Sequence, residues 1–122
     1  MRFMTMIRID ENAGPEGGPS PELMEEMGTL LEEMTKAGVL LDTAGLRPTA
    51  EGSRVHWSHG KESVTDGPFT ETKEVIGGYA LLQVRSKEEA VEWSRRFARI
   101  HGEDWELTLE VRQVEEPPGE GA

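Results

Sequence analysis

Asp66-Gly67-Pro68-Phe69-Thr70-Glu71-Thr72-Lys73-Glu74, followed after two residues by Gly77-Gly78-Tyr79, packs a turn, an aromatic anchor and an alternating charged pair into one short segment. Pro68 fixes its own φ and drives Gly67 into extended or glycine-only backbone, which predicts a sharp bend beside Asp66. Phe69 places a large apolar group just after this polar turn, where it can pin the loop to the body of the protein. Thr70 and Thr72 supply local hydrogen bonds. The Gly77-Gly78 pair marks a bulge or a close approach of backbone or ligand.

Downstream of this stretch, Glu74 to Arg85 reads as a long strand. Ser86 and Glu89 then form a Ser-x-x-Glu capping box that opens a helix. Ala90, Trp93, Ser94, Phe97 and Ala98 share the buried face of that helix, and Gly102 ends it. Trp105, Leu107, Leu109 and Val111 alternate with polar residues in a final strand, and 115–122 reads as a disordered acidic tail beyond a single domain over 1–114. Upstream, Arg54 to Ser58 and Ser63 to Thr65 flank Gly60-Lys61 as a hairpin. Val39 to Leu46 is a strand closed by Arg47-Pro48, with a turn over Thr49 to Ser53.

The N-terminal half repeats the pattern. Phe3 to Ile9 is a strand, and Asp10 to Ser20, rich in Gly and Pro, reads as a mobile loop. Ser20 caps a helix over Pro21 to Ala37, with Pro at its first position and an apolar stripe of Leu23, Met27, Leu30, Leu31 and Met34. The methionines are core filling, since thioethers suit irregular gaps. The order is β-α-β, a hairpin, then β-α-β. That predicts an α+β fold, a ferredoxin-like split βαβ sandwich with an inserted hairpin. Two helices cover one face of such a sheet. Met4 and Met6 oppose Phe3 and Ile7, while Ala80 and Leu82 oppose Tyr79 and Leu81, so both faces are apolar. A homodimer, sheet face to sheet face, is the expected cover.

The net charge of −11 argues against direct binding of nucleic acid. Without cysteine there are no disulfides and no thiolate chemistry. No apolar run is long enough to span a bilayer, and with no export signal the expected compartment is the cytoplasm. No nucleotide signature or nucleophile elbow is present, and no cofactor is implied.

The DGPFTETKE run, the GGY after it, the AGVLLDTAGLRP stretch and the closing EVRQV resemble the DGPF-domain family. That family falls within the YCII-related group of dimeric α+β-barrel proteins, and the resemblance covers Arg2 to Val114. It implies a small bacterial protein without an established reaction, often in the genomic neighbourhood of extracytoplasmic-function sigma factors. The wider group sets a histidine of the first helix against an aspartate. No histidine occurs between Pro21 and Ala37, so that pair does not carry over.

Candidate ligand-binding residues are Asp66, Phe69, Lys73 and Tyr79, with His56 overhanging from the hairpin. Asp66 has two readings: a turn cap that accepts backbone N–H groups near Phe69, or a base or ligand contact. Lys73 is either an anchor for an anionic ligand or a cross-strand charge. Tyr79 fits a pocket, a core or an interface equally well. His56 shares the solvent side of its strand with Arg54 and Ser58, and three-residue spacing separates it from His59, so the two form no chelate. His101, in the last turn of the second helix, is structural. Two functions follow: a non-catalytic regulatory or interaction module, or a small-ligand-binding, enzyme-like protein with a pocket at the DGPF loop.

Overall fold

The computed structural model describes residues 1–117. Eight elements run in the order β1 (Arg2–Ile9), α1 (Pro21–Lys36), β2 (Leu40–Gly45), β3 (Ser53–Ser58), β4 (Lys61–Asp66), β5 (Val75–Gln83), α2 (Lys87–Ile100) and β6 (Leu107–Gln113), with a short 3-10 turn at Thr49–Glu51. The main sheet has the order β2-β5-β1-β6 and is antiparallel throughout. The hairpin β3–β4 forms a separate two-stranded sheet. This is the expected ferredoxin-like α+β sandwich, with the hairpin inserted between β2 and β5.

Both helices begin where their caps dictate. Ser20 Oγ accepts the Leu23 N–H at 3.1 Å, and Ser86 Oγ accepts that of Glu89 at 3.1 Å. Only half of the capping box forms, because the Glu89 carboxylate turns to Arg85 Nε at 3.3 Å. Leu30 and Met34 of α1 and Ala90 of α2 pack with Phe3, Leu82 and Val84 into one core. Within it, the Thr5 and Ser94 hydroxyls bond at 2.9 Å, and Ser94 also donates to the Ala90 carbonyl, so neither hydroxyl is stranded. Arg96 ties the helices together from outside, with two bonds of 2.5 and 2.9 Å to Glu33.

The other face of the sheet carries Met4 and Met6 of β1 opposite Leu81 and Tyr79 of β5. All four are half-buried, and Ile76 beside them is half-exposed. Arg8 on this face lies 3.5 Å from both Glu74 and Glu110. Neither helix reaches it, since both are spent on the Phe3–Leu82 face.

Two expectations shift. Trp105 precedes β6 instead of opening it: its ring stacks edge-on to His101 at 5.8 Å and against Gly14, which draws the residue out of strand alignment. All residues of the hairpin strands are exposed, so the Val55 and Trp57 face is in solvent along with the His56 face. In the expected tail, Glu116 is paired with Arg2 at 2.6 Å, and 118–122 lie outside the described residues.

Candidate functional site

The DGPF stretch folds onto the root of the hairpin, and Thr49 is the centre of that root. The Thr49 N–H donates to Glu11 Oε1 at 2.9 Å, and its hydroxyl donates to Glu11 Oε2. The same hydroxyl accepts the Phe69 N–H at 3.3 Å. These two bonds from Thr49 hold the Glu11 carboxyl below the ordinary carboxylate range, because they favour its charged form. The loop read as mobile is thus fastened at Glu11.

Gly67 closes the root from the other side. Its N–H donates to the Gly52 carbonyl at 2.8 Å, and its Cα faces Thr49 so closely that a Cβ would sit 1.6 Å from the Thr49 carbonyl oxygen. Only glycine fits there. The Arg54 guanidinium then lies 3.9 Å over the Phe69 ring, a cation–π contact, while donating to Glu71 and, at 3.0 Å, to Thr72 Oγ1. Backbone bonding of Glu71, followed by its bond to Arg54, lowers the Glu71 carboxyl pKa. The threonines' expected role is met by Thr72, whose N–H also returns to the Phe69 carbonyl at 3.2 Å.

The five candidate residues fall in different places. Asp66 is exposed and accepts from Ser53 Oγ at 2.7 Å, closing the open end of the hairpin. The Phe69 N–H that was expected to cap onto Asp66 goes to Thr49. Phe69 is half-buried beneath Arg54. His56 is exposed in β3 opposite Ser63, on the hairpin face away from Ser53 and Asp66. Tyr79 lies on the outer sheet face, where its hydroxyl donates to Asp42 Oδ2 at 2.9 Å; that bond raises the tyrosine pKa. Lys73 lines a cleft of about 850 Å³ and is the one candidate to do so.

The cleft opens where β1 and β2 end and β5 begins. Ile9, Leu46, Ile76 and Trp105 supply its apolar wall, and Glu11, Glu74, Glu103 and Asp104 make its rim acidic around Lys73 and Arg47. Among the described residues, no three His, Cys, Asp or Glu side chains are grouped to hold a metal ion. His101 is packed between Phe97 and Trp105, its Nδ1 bonded to the Phe97 carbonyl at 3.0 Å, in keeping with a structural role. Sequence reading missed Glu11, Thr49 and Arg54. Glu11 and Thr49 are 38 residues apart, with no periodicity to link a loop glutamate to a turn threonine.

An uncharacterised protein of Rhizobium meliloti (strain 1021) is 34% identical over 79 residues, spanning 65% of this chain. The aligned part covers 64% of that protein, just under two thirds of its length. A family model, the YCII-related domain, matches residues 1–106. The chain, with its β-α-β–hairpin–β-α-β order and its matched residues running from β1 to the threshold of β6, belongs to the YCII-related domain family.

Proposed function

We propose that the protein is a dimeric, non-catalytic regulatory or interaction module in which two copies bury their outer sheet faces against each other. The observation that carries this reading is the use to which the motif residues are put. Asp66 is spent on Ser53, Phe69 lies beneath Arg54, and Tyr79 is bonded to Asp42. The motif works as a fastening, and the Met4, Met6, Tyr79 and Leu81 face is left for a second copy. Complete burial of an exposed side chain of this size contributes about 1.5–3 kcal/mol, and these four, already half-buried, gain a part of that on pairing. On this reading the module works in the bacterial cytoplasm, in a regulatory setting of the sigma-factor type that the family resemblance supports. Light scattering behind a sizing column tests the assembly: twice the chain mass is expected, and Leu81→Glu should return it to one. A wild-type monomer at micromolar concentration would refute the reading.

A second reading has one observation in its favour: Lys73 does line a cleft with a tryptophan wall. In it, Lys73 anchors a small ligand while Trp105 covers its apolar part. A thermal-shift screen decides. Ligands that raise the melting temperature of the wild type but not of Lys73→Ala would favour this reading over the first.

A further inference from the structure

We infer that residues 10–19 form a strap that closes the cleft at the end of the sheet, held by the bonds between Glu11 and Thr49 and able to open while the sandwich stays folded. Such a strap goes beyond both readings of function, since it stands or falls without a ligand at Lys73.

The path of the strap follows from the sheet order. β1 lies inside the sheet, and β2 and β6 are its two edges. The chain leaves β1 at Ile9 and reaches Thr49, beyond the end of β2, through the Glu11 carboxylate. By Gly14 it lies against Trp105, just ahead of β6, where a Cβ on the glycine would stand 3.6 Å from the indole ring. The strap thus touches structure from both edges of the sheet, and it lines the cleft together with Lys73 and Trp105.

Little holds it there. Its other bonds are internal: the Asn12 N–H donates to Asp10 Oδ1 at 3.0 Å, the Ala13 N–H to the Asp10 carbonyl at 3.1 Å, and the Gly18 N–H to the Pro15 carbonyl at 3.2 Å. Among the described residues, Glu11 is the one member of the strap whose hydrogen bonds reach the body of the protein. Gly17 and Gly18 have φ of 81° and 76°, and the space where a Cβ would sit is open at both, so no packing fixes their backbone. Charge works against closure as well. The closed strap sets Asp10 and Glu11 in one cleft with Glu74, Glu103 and Asp104, and this like-charge repulsion opposes the bonds to Thr49. A segment with few attachments and glycines at its far end opens locally, ahead of the core.

The DGPF turn supplies the catch. Thr49 Oγ1 accepts the Phe69 N–H at 3.3 Å, which leaves its single hydrogen for Glu11 Oε2. The motif therefore orients the hydroxyl that holds the strap, and Thr49 joins the motif to the wall of the cleft.

Amide exchange on the full-length wild type, followed by NMR, is the first test. The Thr49 N–H donates to Glu11 Oε1 and so reports the closed strap. It should be protected, yet exchange about 100-fold faster than the amides of β5. Glu11→Ala should abolish that protection and leave β5 unchanged. A Thr49 amide that is unprotected in the wild type, that exchanges at the β5 rate, or that stays protected in Glu11→Ala overturns the strap. Access to the cleft is read by acrylamide quenching of Trp105 in a Trp57→Phe/Trp93→Phe background. The quenching constant should rise about twofold on Glu11→Ala, as much on Thr49→Val, and no further when the two are combined. An unchanged constant overturns the closure of the cleft, and additive rises overturn the shared catch. Should that background misfold, the exchange measurement, which needs no change of tryptophan, decides.

Discussion

The four-stranded sheet and the β3–β4 hairpin are both antiparallel, and both set apolar side chains opposite one another across neighbouring strands, yet they end in opposite environments. Phe3 and Leu82 face each other across β1 and β5 at 2% and 1% exposure. Val55 and Val64 face each other across β3 and β4 at 69% and 58%. The difference is not in the pattern but in what lies above it. Two helices of about four turns cover the sheet, and none covers the hairpin. Alternation specifies a face, while burial depends on a partner layer.

The contrast is broken most severely in the core. Leu82→Ala should cost about 2–5 kcal/mol, because the surrounding side chains cannot collapse into the cavity, and urea denaturation will read this as a lower midpoint. A loss below about 1 kcal/mol would mean that the sheet core is far looser than its exposure indicates.

Next comes the junction between the two regions. Gly67→Ala forces a Cβ into the Thr49 carbonyl, at 1.6 Å. Overpacking of this kind costs about 1–3 kcal/mol, and the cost should appear as fast amide exchange confined to β3, β4 and the 3-10 turn. Exchange rising uniformly through β1 and β5 would show that hairpin and sandwich unfold as one unit. The neighbouring Asp66→Ala sharpens the point. Asp66 and its partner Ser53 are both exposed, so its loss should stay within about 0.5 kcal/mol. A larger loss would restore a true capping role to the carboxylate.

The smallest effect is expected at the fastening between Glu11 and Thr49. Hydrogen bonds from Thr49 lower the Glu11 pKa below its ordinary 4.5 in the folded protein. Its contribution is therefore complete above pH 4.5 and is lost as pH falls through the depressed value. The wild type should lose slightly more stability between pH 6 and pH 3 than Glu11→Gln, measured as the change in urea midpoint. Equal losses in the two proteins would leave Glu11 no part in holding the root.

Much of this was legible from residues alone, because the relevant forces are local. Ser20 with Pro21, and Ser86, started the helices, since capping depends on groups within one turn. The stripe of Leu23, Leu30 and Met34 identified the buried face of α1. The apolar character of both sides of β1 and β5 was equally plain, as was the restriction at Gly67 imposed by Pro68. The glycine pair was read as a bulge or a close approach, and it is both: pairing shifts at Gly77, and a Cβ on Gly78 would lie 2.9 Å from the Ala44 carbonyl.

The sequence by itself thus determined the element order, the caps and the sandwich, which follow from short-range sterics and hydrophobic period, while the family resemblance rests on the DGPFTETKE and GGY residues themselves. Only the tertiary structure decided what the motif touches. Glu11 and Thr49 meet across 38 residues, the exposed Arg54 lies over Phe69, and Asp66 turns to Ser53 instead of the turn ahead of it. Lys73 reaches the cleft while Tyr79 and His56 point to surfaces elsewhere. Such contacts depend on how separate segments are brought together by a core that none of them belongs to. No spacing along the chain records that distance, because side chains far apart in sequence become neighbours only after the sheet has set the position of every loop.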